Sequence, residues 1–316
     1  MLLNSAMLVS GLVLLVFAGD YLVKGAVGLA ENFGIPSLII GLTIVAFGTS
    51  APELVIALDS ALSGVPDIAI GNVIGSNIAN VLLVMGLPAL ISPIHSGQRG
   101  LSRNVAIMLL FTLAFMWMIE DAYLSTVEAA GLFGGLVLFI VVQILRARLV
   151  MEGDEDAPTD YHDDIGEAPH GNAKIAIFLI IGIVALPVAA HLTVVGASGI
   201  ARTFGVSDAA IGLTIVAVGT SLPELATSFM AAWRRSGDVA LGNIIGSNIF
   251  NIAAILGITG LVIPIPIAQS IVDYDMWVMF GVAILLGVIC YGKVTTGKFL
   301  GGAMLIAYAA YIVSVF

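Results

Sequence analysis

Long apolar runs separated by short polar breaks make up almost the whole chain. The runs fall at 5–30, 36–62, 68–92, 104–119, 124–145, 174–198, 208–233, 239–264, 275–292 and 297–316. A helix needs roughly 20 apolar residues to cross the hydrocarbon core, and most of these runs supply them. A transmembrane barrel would instead show alternating segments of about ten residues, which this pattern lacks. The pattern predicts an all-α polytopic membrane protein with ten transmembrane helices. The first run is long and has no basic residues before it, so it is expected to stay as the first helix and not to be cleaved as a signal peptide.

Composition narrows the class further. Of 316 residues, 59% are hydrophobic and 10% charged, against about 25% charged in a soluble globular chain. A soluble enzyme could not bury that much apolar surface. The net charge of −10 is mostly local: the acids Glu152, Asp154, Glu155, Asp156, Asp160, Asp163, Asp164 and Glu167 account for eight of it, leaving −2 for the rest. Dense like charge reads as a solvated loop. A calcium loop is disfavoured there, because no Gly marks its turn and Pro158 interrupts the acids. His162 and His170 read as polar loop residues. Basic residues set the orientation. Nine of them (Arg99, Arg103, Arg146, Arg148, Lys174, Arg234, Arg235, Lys293, Lys298) fall in loops on one side, and Arg202 alone lies on the other. The positive-inside rule makes the first side cytoplasmic, with both termini on the extracytoplasmic side of the plasma (inner) membrane. Cys290, the single cysteine, lies in an apolar run and reads as a packing residue.

The chain also repeats itself. GLTIVA at 41–46 returns at 212–217, GTSAPEL at 48–54 as GTSLPEL at 219–225, and GNVIGSNIAN at 71–80 as GNIIGSNIFN at 242–251, always 171 positions later; 23 of 42 aligned positions are identical. Residues 1–148 and 174–316 are thus expected to form two five-helix repeats joined by an acidic cytoplasmic linker at 149–173. Five is odd, so the second repeat should be inverted relative to the first. Inverted repeats commonly place a transport site near the membrane midplane where they meet.

The repeat preserves polar residues at the centre of apolar runs. A carboxylate there costs at least about 2.5 kcal/mol on insertion scales, so Glu53 and Glu224 should face an interior cavity. Pro52 and Pro223 have no N–H for the carbonyls of Gly48 and Gly219, and the glycines ease a kink, so both helices should break there. Unwound carbonyls and half-helix C-termini suit a cation. Thr49 and Thr220 lie four residues before the glutamates, and Ser50 and Ser221 add oxygens. Asn72, Ser76 and Asn80 form one helical stripe, copied by Asn243, Ser247 and Asn251. Gly71, Gly75, Gly242 and Gly246 form small-xxx-small pairs for close packing. All these candidate ligands are oxygens, with no His or Cys among them. That disfavours zinc or copper and suits calcium, with sodium able to use subsets of the same oxygens.

At these residues the chain resembles the cation/calcium antiporter superfamily, specifically its prokaryotic sodium/calcium exchanger-like branch. The paired GTSAPE…GNVIGSNIAN and GTSLPE…GNIIGSNIFN segments look like that family's two alpha-repeats. The resemblance spans nearly the whole chain. It implies secondary active exchange of calcium for sodium, with Glu53 and Glu224 binding the ions together with Thr49, Ser50, Thr220 and Ser221. It also places Ser76, Ser247 and the carbonyls of Ala46 and Ala217 at flanking sodium sites, with Asn80 and Asn251 lining the middle. Some relatives, including potassium-dependent exchangers, carry an aspartate where this chain has Asn251, which disfavours potassium dependence. Proton/calcium antiport, or potassium-dependent sodium/calcium antiport, is the alternative coupling.

Other classes fit less well. A channel would not need two inverted halves around broken helices. An intramembrane protease needs a nucleophile beside a base, yet His191, the one histidine inside an apolar run, lies in no repeated Ser motif. The expected ligands are the transported ions calcium and sodium and the surrounding lipid bilayer. The pattern calls for no cofactor, nucleic acid or obligatory protein partner. Asp20 and Lys24 are four apart and read as a local ion pair. His191 stands at the position equivalent to Asp20, and Asp59, with no acidic counterpart, should lie near the membrane surface.

Overall fold

The computed structural model describes residues 1–98, 100–151, 169, 171–205 and 217–315. The acids of the linker, His162, His170, Arg99 and the second GLTIVA segment as far as Val216 lie outside the described residues. The chain is an assembly of apolar helices: α1 (Leu2–Phe33), α2 (Ser37–Thr49), α3 (Ala51–Leu62), α4 (Pro66–Ala89), α5 (Leu101–Met118), α6 (Thr126–Leu149), α7 (Asn172–Thr203), α8 (Leu222–Trp233), α9 (Gly237–Val262), α10 (Ile271–Tyr291) and α11 (Lys298–Ser314). Seven are long and apolar enough to cross a membrane, and α2 with α3 makes an eighth span bent by 43°. The one-turn helix Ala217–Thr220, which follows the undescribed stretch, the helix α8 and the shorter α11 complete the described set.

Local chemistry sets the helix ends. Gly34, at φ 64°, closes α1 in the left-handed conformation and returns its N–H to the carbonyls of Ala30 and Glu31. Pro66 sits at the start of α4, where no N–H is needed. Ser125 and Glu128 form a capping box ahead of α6. The Ser125 N–H and hydroxyl both donate to Glu128 Oε2, at 2.9 and 2.7 Å, and the Glu128 N–H donates back to Ser125 Oγ at 3.3 Å. The all-helical expectation needs one small amendment. Tyr123–Leu124 and Ile265–Pro266 pair as two short antiparallel strands where the chain turns between helices.

Two apolar cores hold the helices together. The larger draws on α4, α5, α6, α9 and α10, with Ile70, Val81, Met108, Phe115, Leu124, Ile244 and Leu286 fully buried. The smaller lies between α1 and α7, around Leu22, Val23, Leu186 and Ala189. Lipid-facing surfaces gain nothing from the hydrophobic effect, so helices in a membrane gain by close contact at small residues. The α1–α7 seam shows this. A Cβ on Gly25 would stand 2.9 Å from Leu179, and one on Gly182 2.6 Å from Leu22. Gly11 meets Thr193 and Gly196 meets Leu8. These partners ascend along α1 as they descend along α7, so the two helices run antiparallel. The α2–α9 contact is equally close but parallel, with Gly242 on Leu38 and Gly41, and Gly246 on Leu42 and Ala46.

Candidate cation-binding site

The helical run of α2 stops at Thr49 and restarts as α3 at Ala51, with Ser50 between them at φ −86°, ψ 3°. Ser221 takes nearly the same angles, φ −87° and ψ 6°, between the turn Ala217–Thr220 and α8. Pro52 and Pro223 occupy the first turn of each new helix, where a missing N–H costs nothing. Gly48 and Gly219 leave room for α7 to cross the breaks. A Cβ on Gly48 would lie 2.7 Å from Ile183, and one on Gly219 would collide with Val194.

These breaks set the chemistry around the two glutamates. Glu53 and Glu224 fall in the first turns of α3 and α8, the helix end that favours negative charge. Each is 1% exposed. Ser50 Oγ donates to Glu224 Oε1 at 3.1 Å, bringing the first break onto the second carboxylate. The Ala46 carbonyl accepts the Ser50 N–H at 3.0 Å and lies 3.3 Å from the Thr49 hydroxyl. Ala217 opens the turn before Ser221. Thr49 is on the far side of the break from Glu53, so the i, i+4 relation is not one continuous helical face.

Thr49 faces α9, with its Oγ1 3.2 Å from Asn243 Oδ1 and 3.5 Å from Ser247 Oγ. The counterpart contact runs the other way, with Thr220 Oγ1 3.4 Å from Asn72 Oδ1. Asn243 also donates to the Glu224 carbonyl at 3.4 Å and to Ser228 Oγ at 3.1 Å. Ser76 and Ser247 are both buried. At the next level, Asn80 Nδ2 donates to Asn248 Oδ1 at 3.1 Å, and Asn251 Nδ2 donates to Asn77 Oδ1 at 3.0 Å. Each pair of contacts swaps the roles of residues 171 positions apart. The helices widen into π turns at Asn80 and again at Asn251, a device frequent at functional sites.

Several buried oxygens in this layer have no partner in the protein. They are both carboxylate oxygens of Glu53, Oε2 of Glu224, Oδ1 of Asn80 and of Asn251, and Oγ of Ser221. Leaving such groups unpaired is expensive, and a cation is the partner that satisfies acceptors without offering a hydrogen. Among the described residues no cluster of three His, Cys, Asp or Glu could hold a metal, so a cation here would depend on neutral oxygens beside two carboxylates.

The sodium/calcium exchanger protein family matches this chain over residues 3–145 and 174–316. The chain belongs to that family. This sodium/calcium exchanger family member is therefore an integral membrane cation/calcium antiporter, of a family of transporters and not an enzyme class. It is 34% identical over 344 aligned positions to the sodium/calcium exchanger MaX1 of Methanosarcina acetivorans, covering 99% of this chain and 98% of that one. It is also similar to the inner membrane protein YrbG of Escherichia coli K12, at 38% identity over 93% of this chain and 90% of that one. Its fold superposes on the solved sodium/calcium exchanger from Methanococcus jannaschii with a TM-score of 0.84, at 32% identity over 99% of this chain and 98% of the other.

Other polar residues of the exchanger stand apart from this cluster of oxygens. Asp20 does pair with Lys24, at 2.9 Å, and it also pairs with Arg234 at the end of α8. His191 and Asp59 are exposed, and Cys290 is buried and free. Sequence reading passed over Asn77 and Asn248, which sit inside the repeated motifs but off the stripe of Asn72, Ser76 and Asn80. Their fixed offset of 171 was the available signal.

Proposed function

We propose that this exchanger moves calcium against sodium by alternating access at one central site, with Glu53 and Glu224 as its two charged ligands. The carrying observation is the set of buried, unpartnered oxygens around the two carboxylates. Thr49, Ser50, Thr220 and Ser221 supply hydroxyls, Asn80 and Asn251 amide oxygens, and Ser76 and Ser247, with the carbonyls of Ala46 and Ala217, flanking sodium positions. Six to eight oxygens of mixed kind suit calcium better than magnesium, which demands strict octahedral geometry. Two carboxylates neutralise one calcium, so three sodium ions in exchange would move one net positive charge.

The repeats 1–148 and 174–316 are read as inverted copies joined by the linker 149–173. Two observations support this. The equivalent helices α1 and α7 run antiparallel, and contacts between the halves are reciprocal at an offset of 171. A self-complementary contact of that kind is the signature of a two-fold axis. In the proposed topology both termini lie outside the inner membrane and the linker lies inside.

Flux in sealed vesicles tests the reading. An outward sodium gradient should drive calcium uptake without potassium, because Asn251 stands where potassium-dependent relatives carry an acid. Uptake should respond to membrane potential. An absolute potassium requirement, or uptake insensitive to sodium, would sink it.

A further inference from the structure

The amide side chains of Asn80 and Asn251 can serve a cation in only one of their two orientations. The Oδ1 face attracts a cation and the Nδ2 face repels it. The two faces are nearly equal in shape, so something outside the site must choose between them. We infer that Met108 and Met279, acting through Asn248 and Asn77, lock these amides with their oxygens toward the transported ion.

The reasoning starts at the sulfurs. A thioether accepts a hydrogen bond weakly and donates none. Asn248 Nδ2 lies 3.6 Å from Met108 Sδ, so the nitrogen side of that amide is committed to the sulfur. Its Oδ1 is left on the opposite side, where it accepts Asn80 Nδ2 at 3.1 Å. With its nitrogen engaged there, Asn80 turns Oδ1 the other way, and that oxygen is buried with no partner in the protein. The second relay repeats every step. Asn77 Nδ2 lies 3.7 Å from Met279 Sδ and 3.4 Å from the Asn248 carbonyl, another group that only accepts. Asn77 Oδ1 accepts Asn251 Nδ2 at 3.0 Å, and Asn251 Oδ1 is likewise buried and unpartnered.

All six residues are at most 3% exposed, so water cannot substitute for a lost partner. Met108 and Met279 also stand 171 positions apart, although they lie on α5 and α10, outside the repeated motifs. Each relay crosses between the halves. Met108 and Asn80 belong to the first and Asn248 to the second, and the other relay reverses this. The two methionines are therefore positioning residues that touch no ion.

The inference rests on the proposed site, and the experiment separates the two. Calcium binding to purified protein in sodium-free buffer is measured by titration for Asn80→Ala, Asn251→Ala, Met108→Leu, Met279→Leu and the double variants. Met→Leu conserves volume and keeps the core packed, so the variants should fold and melt close to the parent. Each should weaken calcium binding roughly 2- to 10-fold, the range that loss of one hydrogen bond implies. The decisive readout is coupling. Met108→Leu should add nothing once Asn80 is Ala, yet act in full when Asn251 is Ala, and Met279→Leu should show the reverse. Equal effects on both backgrounds, or no effect while the Asn→Ala variants bind weakly, would overturn the relay and leave the site standing. Unchanged binding in both Asn→Ala variants would overturn the amide ligands and the relay together.

Discussion

Thr49 and Asn243 meet in a fully buried contact, each with 0% exposure, whereas their counterparts Thr220 and Asn72 meet at a half-buried one. Behind the buried contact, Gly242 and Gly246 of α9 pack on Leu38, Gly41, Leu42 and Ala46 of α2. One set of residue types thus produces two degrees of closure at the two ends of one site. Chemistry alone cannot set the difference, since the hydroxyl and amide partners are the same. The set of the helices must. A site sealed at one end and looser at the other is what the proposed alternating access asks of an open state, and the repeated offset of 171 would give the opposite state the same contacts to use. In the proposed topology the looser end, near the start of α4, faces outside.

The carboxylates should show the largest effect and the least difference between halves. In the proposed site, Glu53→Gln and Glu224→Gln each remove one of the two buried charges that would oppose a divalent ion. Unpairing a buried charge costs about 3–5 kcal/mol, or roughly 100-fold or more in affinity. Calcium exchange in vesicles should nearly vanish in both variants while the protein stays inserted and folded. Substantial transport by one of them would remove that residue from the centre and make the site one-sided.

The packing glycines of the closed end come next. Gly246→Val places carbon against Ala46 and Leu42, where a Cβ would already stand 2.6 Å from each. Overpacking of this kind costs about 1–3 kcal/mol, and it falls on the closed end. Exchange should drop about 10-fold or more in Gly246→Val. Exchange close to the parent's, measured at equal expression, would mean that the closed end tolerates a wider α2–α9 contact.

Accessibility gives a smaller but more direct signal. Introduced singly, Asn72→Cys should react with a membrane-impermeant thiol reagent added from outside, and Asn243→Cys should resist it. The native Cys290 is buried and should not contribute background. Protection of both positions would mean that both ends are closed, and modification of Asn72→Cys only from the inside would reverse the assignment of the open end.

Much of this architecture was legible in the residues, and what was missed has a common cause. Apolar runs mark spans because the bilayer sets their length, and Pro52 and Pro223 mark the broken helices because a missing N–H is a local property. The break itself falls at Ser50 and Ser221, since each proline settles into the first turn of the next helix. What periodicity could not show are contacts between elements. Asp20 was readable with Lys24 one turn away, but Arg234 reaches it only through packing of α1 against α8. Met108 and Met279 look like any other apolar residue of a membrane helix until their sulfurs are seen beside two amides.

Protons offer the mildest perturbation and the sharpest question about coupling. A proton on Glu53 or Glu224 cancels one of the charges that calcium needs, so protons and calcium should exclude each other from the site. Lowering pH should raise the calcium concentration that gives half-maximal exchange, by a factor of a few, and saturating calcium should restore the rate. In the proposed site sodium, which carries the same charge as a proton, would compete through the same oxygens but also have the hydroxyl and carbonyl positions beside the carboxylates to occupy. Those neutral oxygens are useless to a proton, which binds one oxygen and leaves the others without a ligand. A pH gradient imposed on sodium-free vesicles should therefore drive little calcium uptake compared with a sodium gradient of equal size. Uptake of similar magnitude under both gradients would mean that protonation of the carboxylates alone completes the return step. It would turn the sodium assignment into proton/calcium antiport at the same two glutamates.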